Sequence, residues 1–193
     1  MEVQTMDAVV AMRLQSRAQR GDTNAFAALV EGYRNPAFRL ARAAMQDRRA
    51  AIELLERAAL EVWSARGTWR TDFAEIWMSA VARGIFDRIE AEDERLRSAE
   101  SPLHEDRWGR ELPEQGPIDD GLRHVIQAAL ALLPPTPRAL LLLKDDAALS
   151  DSALAQASSL KVEVVRRFVH AARCALTRAI DLHLAGPAQV AAS

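Results

Sequence analysis

The sequence predicts an all-α protein of two small helical domains joined by a flexible linker. Three observations carry that prediction. Ala, Leu, Arg and Glu, all strong helix formers, dominate the composition, and β-branched residues are sparse outside a few Val and Ile positions. Apolar side chains recur at the spacing of three and four that paints one face of a helix. Residues that start and stop helices stand at the ends of those stripes.

The 193 residues allow one domain or two small ones. Hydrophobic residues make up 49% and charged residues 27%, enough for a packed core and against wholesale disorder. The formal net charge is −2, so any nucleic-acid surface must be a local one. The single cysteine, Cys174, excludes an internal disulfide and fits a reducing compartment. No cationic stretch followed by an apolar run opens the chain, and no apolar run approaches the roughly 20 residues that span a bilayer. A cytoplasmic protein with no membrane partner is expected.

The first domain is expected over residues 10–97. Leu14 and Ala18 mark a helix that breaks at Gly21-Asp22. Ala25, Phe26, Leu29, Val30 and Tyr33 mark the next, and Asp22 or Thr23 can cap it by accepting from free backbone N–H groups. Asn35-Pro36 is expected to end it, because proline disfavours helix in the residue before it. A further helix holds Phe38, Leu40, Ala41, Ala44 and Met45. Asp47 opens another, with Ile52, Leu55, Ala59, Val62 and Trp63 on one stripe. Residues 66–71 read as a loop. Asp72 followed by Glu75 resembles a capping box, and Phe73, Ile76, Trp77, Ala80, Val81, Gly84 and Ile85 continue at helical spacing. The run Glu90-Ala91-Glu92-Asp93-Glu94-Arg95 is polar all round and must leave the core.

Residues 98–118 hold Pro102, Gly109, Pro113, Gly116 and Pro117 with scattered charge and no period, which reads as a linker. Trp108 and Leu112 could dock on a domain, but a mobile linker is favoured. The second domain is expected over residues 119–185. Asp119 caps a stripe of Leu122, Val125, Ile126, Ala129, Leu130 and Leu133, which Pro134-Pro135 ends. Thr136 caps a short helix with Pro137 at its first position, where the missing N–H costs nothing. Ser150 caps the helix with Leu154 and Ala155. The last helix spans about residues 162–184, and Gly186-Pro187 terminates it.

Residues 150–176 are the most informative stretch. A helix-turn-helix needs a small residue where its helices cross, a turn residue that tolerates a left-handed backbone, and an apolar lock on the second helix. Ala155, Ser159 and Val165 fall at those spacings, and Val169, Ala172, Leu176 and Ile180 continue the buried stripe. The opposite face carries Lys161, Arg166, Arg167, His170 and Arg173, with Glu163 the one acid among them. Charge alone fits a solvated face as well as a DNA-binding one. The turn spacing favours DNA contact, in which basic side chains neutralise phosphates and reach base edges.

These residues resemble a known family. Ala129-Leu130-Ala131-Leu132-Leu133-Pro134-Pro135, Arg138, Leu140 to Leu143, Leu149-Ser150, Ala155, Val162, Val165, His170, Ala172, Arg173 and Ala175-Leu176 are similar, without gaps, to the C-terminal domain of extracytoplasmic-function sigma factors. Ala18-Gln19-Arg20-Gly21-Asp22, Ala25-Phe26, Leu29-Val30, Tyr33, Asp47, Trp63, Phe73, Trp77, Ala82-Arg83 and Asp87-Arg88 match the family's N-terminal domain. The resemblance covers nearly the whole chain. It implies a sigma region-2-like bundle, a sigma region-4-like helix-turn-helix domain, and a non-enzymatic role without a cofactor. The implied partners are core RNA polymerase, promoter DNA and an anti-sigma factor. By position, Glu53, Glu56 and Arg57 fall where the family contacts the polymerase clamp. The loop at 66–71, with Trp69, and the helix around Arg83 and Arg88 fall where it meets −10 DNA. Lys161, Arg166, Arg167 and His170 fall on the −35 recognition helix, with Arg173 on the same face.

The departures from the family pattern fall on functional surface. The usual acidic Ala-Glu-Asp-Leu followed by Gln-Glu is here Ala51-Ile52-Glu53-Leu54 and Glu56-Arg57, and Ala59 replaces a usual phenylalanine. An acid-to-base change at Arg57 would weaken or re-aim a clamp contact. Gly84 replaces an asparagine, and Ile89 with the acids 90–94 replaces a basic stretch, where acids repel phosphates. The loop before Phe73 is about two residues short. Trp69 fits either of two roles, stacking on an unpaired base or capping the core. Ser159 replaces the turn glycine, at about 1 kcal/mol if it is left-handed. Phe168 replaces a basic residue, as an exposed apolar contact or a change in helix packing. These changes motivate an alternative, a degenerate sigma-like protein that acts through protein contacts such as anti-sigma titration. A third reading is a regulator that uses the helix-turn-helix alone.

Other chemistry finds little support. His170 and Cys174 are four apart, but two ligands do not make a zinc site. His104, His124 and His183 are isolated. No phosphate loop, serine elbow or metalloprotease pattern is present, so neither a metal nor a catalytic centre is expected.

Overall fold

A computed structural model describes residues 6–98 and 118–185. Most of the expected linker, with Trp108 and Leu112, and the terminator Gly186-Pro187 lie outside the described residues. Those described form eight α-helices and one 3-10 turn, with no strand among them.

In the N-terminal half the helix starts are set by aspartates. α1 (Ala8–Gln19) is capped by Asp7, which accepts from the N–H groups of Val9 and Val10. It ends at Gly21, whose φ of +95° is open to glycine and costly to other residues. Asp22, and not Thr23, caps α2 (Thr23–Met45) by accepting from Asn24 and Ala25, both at 3.0 Å. Asp47 caps α3 (Arg48–Ser64) through Arg49 and Ala50. Asp72 accepts from Glu75 N–H at 2.8 Å as α4 (Phe73–Ser98) begins. A 3-10 turn, Arg66–Thr68, occupies part of the expected loop between α3 and α4.

Two expectations fail here. Pro36 does not end α2, which continues to Met45. The bond that proline removes is the one to the Gly32 carbonyl four residues back. Ala37, Leu40, Ala41 and Ala44 are all buried beyond it, and that packing outweighs the lost bond. Ile52 is not on the buried stripe of α3; it is 41% exposed. The buried positions are Ala50, Ala51, Leu54, Leu55, Ala58 and Val62, a face turned away from Ile52.

The C-terminal half comprises α5 (Ile118–Leu132), α6 (Pro135–Asp145), α7 (Asp151–Ser158) and α8 (Val162–Ala185). α5 is already helical at Ile118, so Asp119 lies in its first turn. α6 starts two residues earlier than expected. Pro134 holds its cap position and Pro135 its first, so Thr136 is no cap. Leu140, Leu143, Leu154 and Val165 are fully buried.

The two halves share one continuous core, with α6 against α2 and α7 against α4. Arg138 sits at this junction, 6% exposed. Its Nε donates to the Ala44 carbonyl near the end of α2 at 3.0 Å. Its Nη1 donates to the Leu133 and Ala131 carbonyls at the end of α5, at 3.3 and 3.4 Å. Two helix C-termini, each a concentration of partial negative charge, thus converge on one guanidinium. Burial pushes its pKa down.

Candidate nucleic-acid interface

α7 is eight residues long, and Ser150 caps it by accepting from Ala153 N–H at 3.1 Å. It ends at Ser159, which is left-handed at φ 55° and ψ 21°. Leu160 N–H then donates back to the Ala155 carbonyl at 3.2 Å, closing the helix end. Val165 N–H donates to the Lys161 carbonyl at 3.1 Å as α8 begins. The tight turn is therefore formed by Ser159, Leu160 and Lys161. Leu154 on α7 and Val165, Val169 and Ala172 on α8 are buried and lock the pair. Phe168 is half-buried and packs against the core, so its departure from the family pattern is one of packing.

Lys161, just ahead of α8, and Arg166, Arg167, His170 and Arg173 on it are all exposed. They are not equally available. Arg166 Nε donates to Asp151 Oδ2 at 2.9 Å. Asp151, the first residue of α7, also holds Lys144 Nζ of α6 at 2.7 Å. Arg173 pairs with Asp145 at the end of α6. Lys144 and Arg166 hold the Asp151 carboxyl below the usual range, and the two acids push the Arg166 and Arg173 pKa values up. Lys161 and Arg167 make no ion pair among the described residues. His170 Nε2 lies 3.7 Å from Cys174 Sγ. Sequence reasoning missed both acids because they come from other helices; the acid directly after the Ser150 cap was the available signal.

In the N-terminal half the expected site residues scatter by role. Trp69 is in the core, which corrects the base-stacking expectation. It is 6% exposed, its Nε1 donates to the Val62 carbonyl at 3.2 Å, and its ring lies 5.5 Å from Phe73. Arg83 is bound to Glu61 of α3, with one contact at 3.2 Å. Arg88 is exposed and makes no ion pair among the described residues. Gly84 stands where α3 and α4 approach closely, since a Cβ there would lie 3.2 Å from Leu54 Cγ. Glu53, Glu56 and Arg57 are exposed along α3, between Ile52 and the 68% exposed Leu60. Glu53 pairs with Arg49 at 2.9 Å.

No family model and no curated protein matches the chain. Among solved structures it is similar to CnrH in complex with the cytosolic domain of CnrY. The TM-score is 0.58 at 17% identity, covering 90% of this chain and 98% of that one. That likeness shows the fold alone: an all-helical arrangement shared over nearly the full length of both proteins. Among the described residues no helix is long and apolar enough to cross a membrane, and no group of three His, Cys, Asp or Glu could hold a metal.

Proposed function

We propose that this chain is a divergent sigma-factor-like transcription initiation protein that binds core RNA polymerase and directs it to promoter DNA. The observation that carries this is the α7–α8 pair: its left-handed Ser159 turn leaves Lys161, ahead of α8, and Arg166, Arg167 and His170 on it exposed. A basic helix so presented can enter a major groove and be anchored by phosphates. The exposed face of α3 with Glu53, Glu56 and Arg57 is the proposed polymerase contact. Arg83 and Arg88 on α4 are the proposed −10 contacts, and residues 98–118 the linker between two domains.

Two observations favour a second reading, a sigma-like protein that works through protein contacts without opening promoters. Trp69 is buried and Arg83 is held by Glu61, so the α4 side offers little to DNA. The similar protein CnrH was solved bound to the cytosolic domain of CnrY. Pull-down with core polymerase, followed by promoter-specific transcription in vitro, separates the two. Binding with transcription supports initiation. Failure of both, with tight capture of an anti-sigma domain, leaves the second reading.

A further inference from the structure

We propose that Asp151 is a specificity-determining residue of the α8 face, an internal counter-charge that competes with DNA for Arg166 and Lys144. The inference rests on the DNA-binding reading above. The carboxylate bridges cations from two different helices, at 2.7 and 2.9 Å, while belonging to a third. It lies at the first residue of α7, where the helix N-terminus favours negative charge, so it is stably held there. Arg166 is drawn sideways toward α7 although two thirds of its side chain is exposed.

Stability explains little of the Arg166 contact, because an ion pair whose arginine is two thirds exposed contributes little. Its effect falls on binding. An acid beside the groove-facing cations repels phosphates and removes cations from the counterion-release balance that drives sequence-independent affinity. Random DNA offers Arg166 only a phosphate in exchange for its carboxylate, a nearly even trade. A site presenting a guanine offers two parallel hydrogen bonds to its edge and repays the exchange. Asp151 thus weakens binding to all DNA while penalising the wrong sequences most. Asp145 acts on Arg173 in the same sense, more weakly, since it holds one cation and not two.

The test uses the full chain. Affinity for a random-sequence duplex is measured across a salt series, and sequence enrichment is read from selection on a randomised duplex pool. Asp151→Asn is expected to bind the random duplex about tenfold more tightly, with a salt slope steeper by about one. Its enrichment over input should fall. Asp151→Glu, which keeps the charge, should restore all three readouts, and Glu75→Gln, an equal charge change on α4, should alter none. If Asp151→Asn does not fold, Asp145→Asn is expected to show the same shifts at smaller size. Asn variants that match wild type in affinity, slope and enrichment, while Arg167→Ala still weakens binding, would overturn the proposal and leave the DNA-binding reading standing. No duplex binding by any variant at low salt, with Arg167→Ala indistinguishable, would overturn both.

Discussion

The two halves of the molecule are built from different side chains. In the N-terminal half six aromatic rings interlock: Phe26 lies 5.0 Å from Trp63 and 6.0 Å from Phe73, and Phe73 touches Tyr33, Trp69 and Trp77 at 5.8, 5.5 and 6.2 Å. In the C-terminal half the buried hydrophobics are aliphatic: Leu140 to Leu143, Leu149, Leu154, Val165 and Val169. Aromatic contacts have preferred geometry and bury large areas, so they give the first half its own rigid centre. Helices of eight and eleven residues, such as α7 and α6, are marginal alone. They gain order by lying against α4 and α2. The lesson is a hierarchy: the half that carries the α7–α8 turn leans on the half that does not.

Phe73→Ala should cut that hierarchy at its root. It removes a fully buried ring that four others touch, at an expected cost of about 3–5 kcal/mol. With Trp108 replaced by Phe, tryptophan fluorescence from Trp63, Trp69 and Trp77 reports the first half, and far-ultraviolet dichroism reports both. The two denaturation curves should move together, because losing the first half removes the support of the second. Curves that separate would show that the halves stand independently.

Arg138→Ala attacks the junction instead. Three carbonyls lose their donor, an expected cost of about 2–3 kcal/mol. Here the dichroism midpoint should fall below the fluorescence midpoint, because only the C-terminal half is released. A smaller and opposite effect is expected of Ser159→Gly. Relieving its left-handed backbone should raise the stability of the C-terminal half by about 1 kcal/mol, seen in the dichroism midpoint. Last comes acid. Asp22 has its carboxyl lowered from the ordinary 3.8, first by the Ala25 N–H and then by Arg17. Its contribution is complete above 3.8 and is lost as pH falls through the lower folded value. Asp22→Asn should therefore be less stable than wild type at neutral pH and lose less on acidification, measured by urea midpoints against pH.

Four caps were legible in the sequence, whereas those expected at Asp119 and Thr136 were not formed there. Asp22, Asp47, Asp72 and Ser150 each act on backbone groups two or three residues away, so local sequence contains the whole interaction. The Ser159 turn was legible for the same reason. What escaped was decided between helices. Pro36 is tolerated because residues beyond it are buried by other elements. The register of α3 followed its neighbours and so exposed Ile52. Trp69 turned inward to meet Val62 and Phe73. The candidate cations of α8 lie exposed, but Asp145 and Asp151, which hold two of them, lie 28 and 15 residues away in the chain. No periodicity connects them.

Arg138 gives the seam between the halves an unusual temperament. Where two greasy faces meet, parting them only exposes oil to water, and nothing in the solvent welcomes the change. Among the described residues this guanidinium is held by carbonyls alone, with no carboxylate to leave behind, and hydration awaits it outside. The junction thus holds a charge that solvent would also satisfy once it opened.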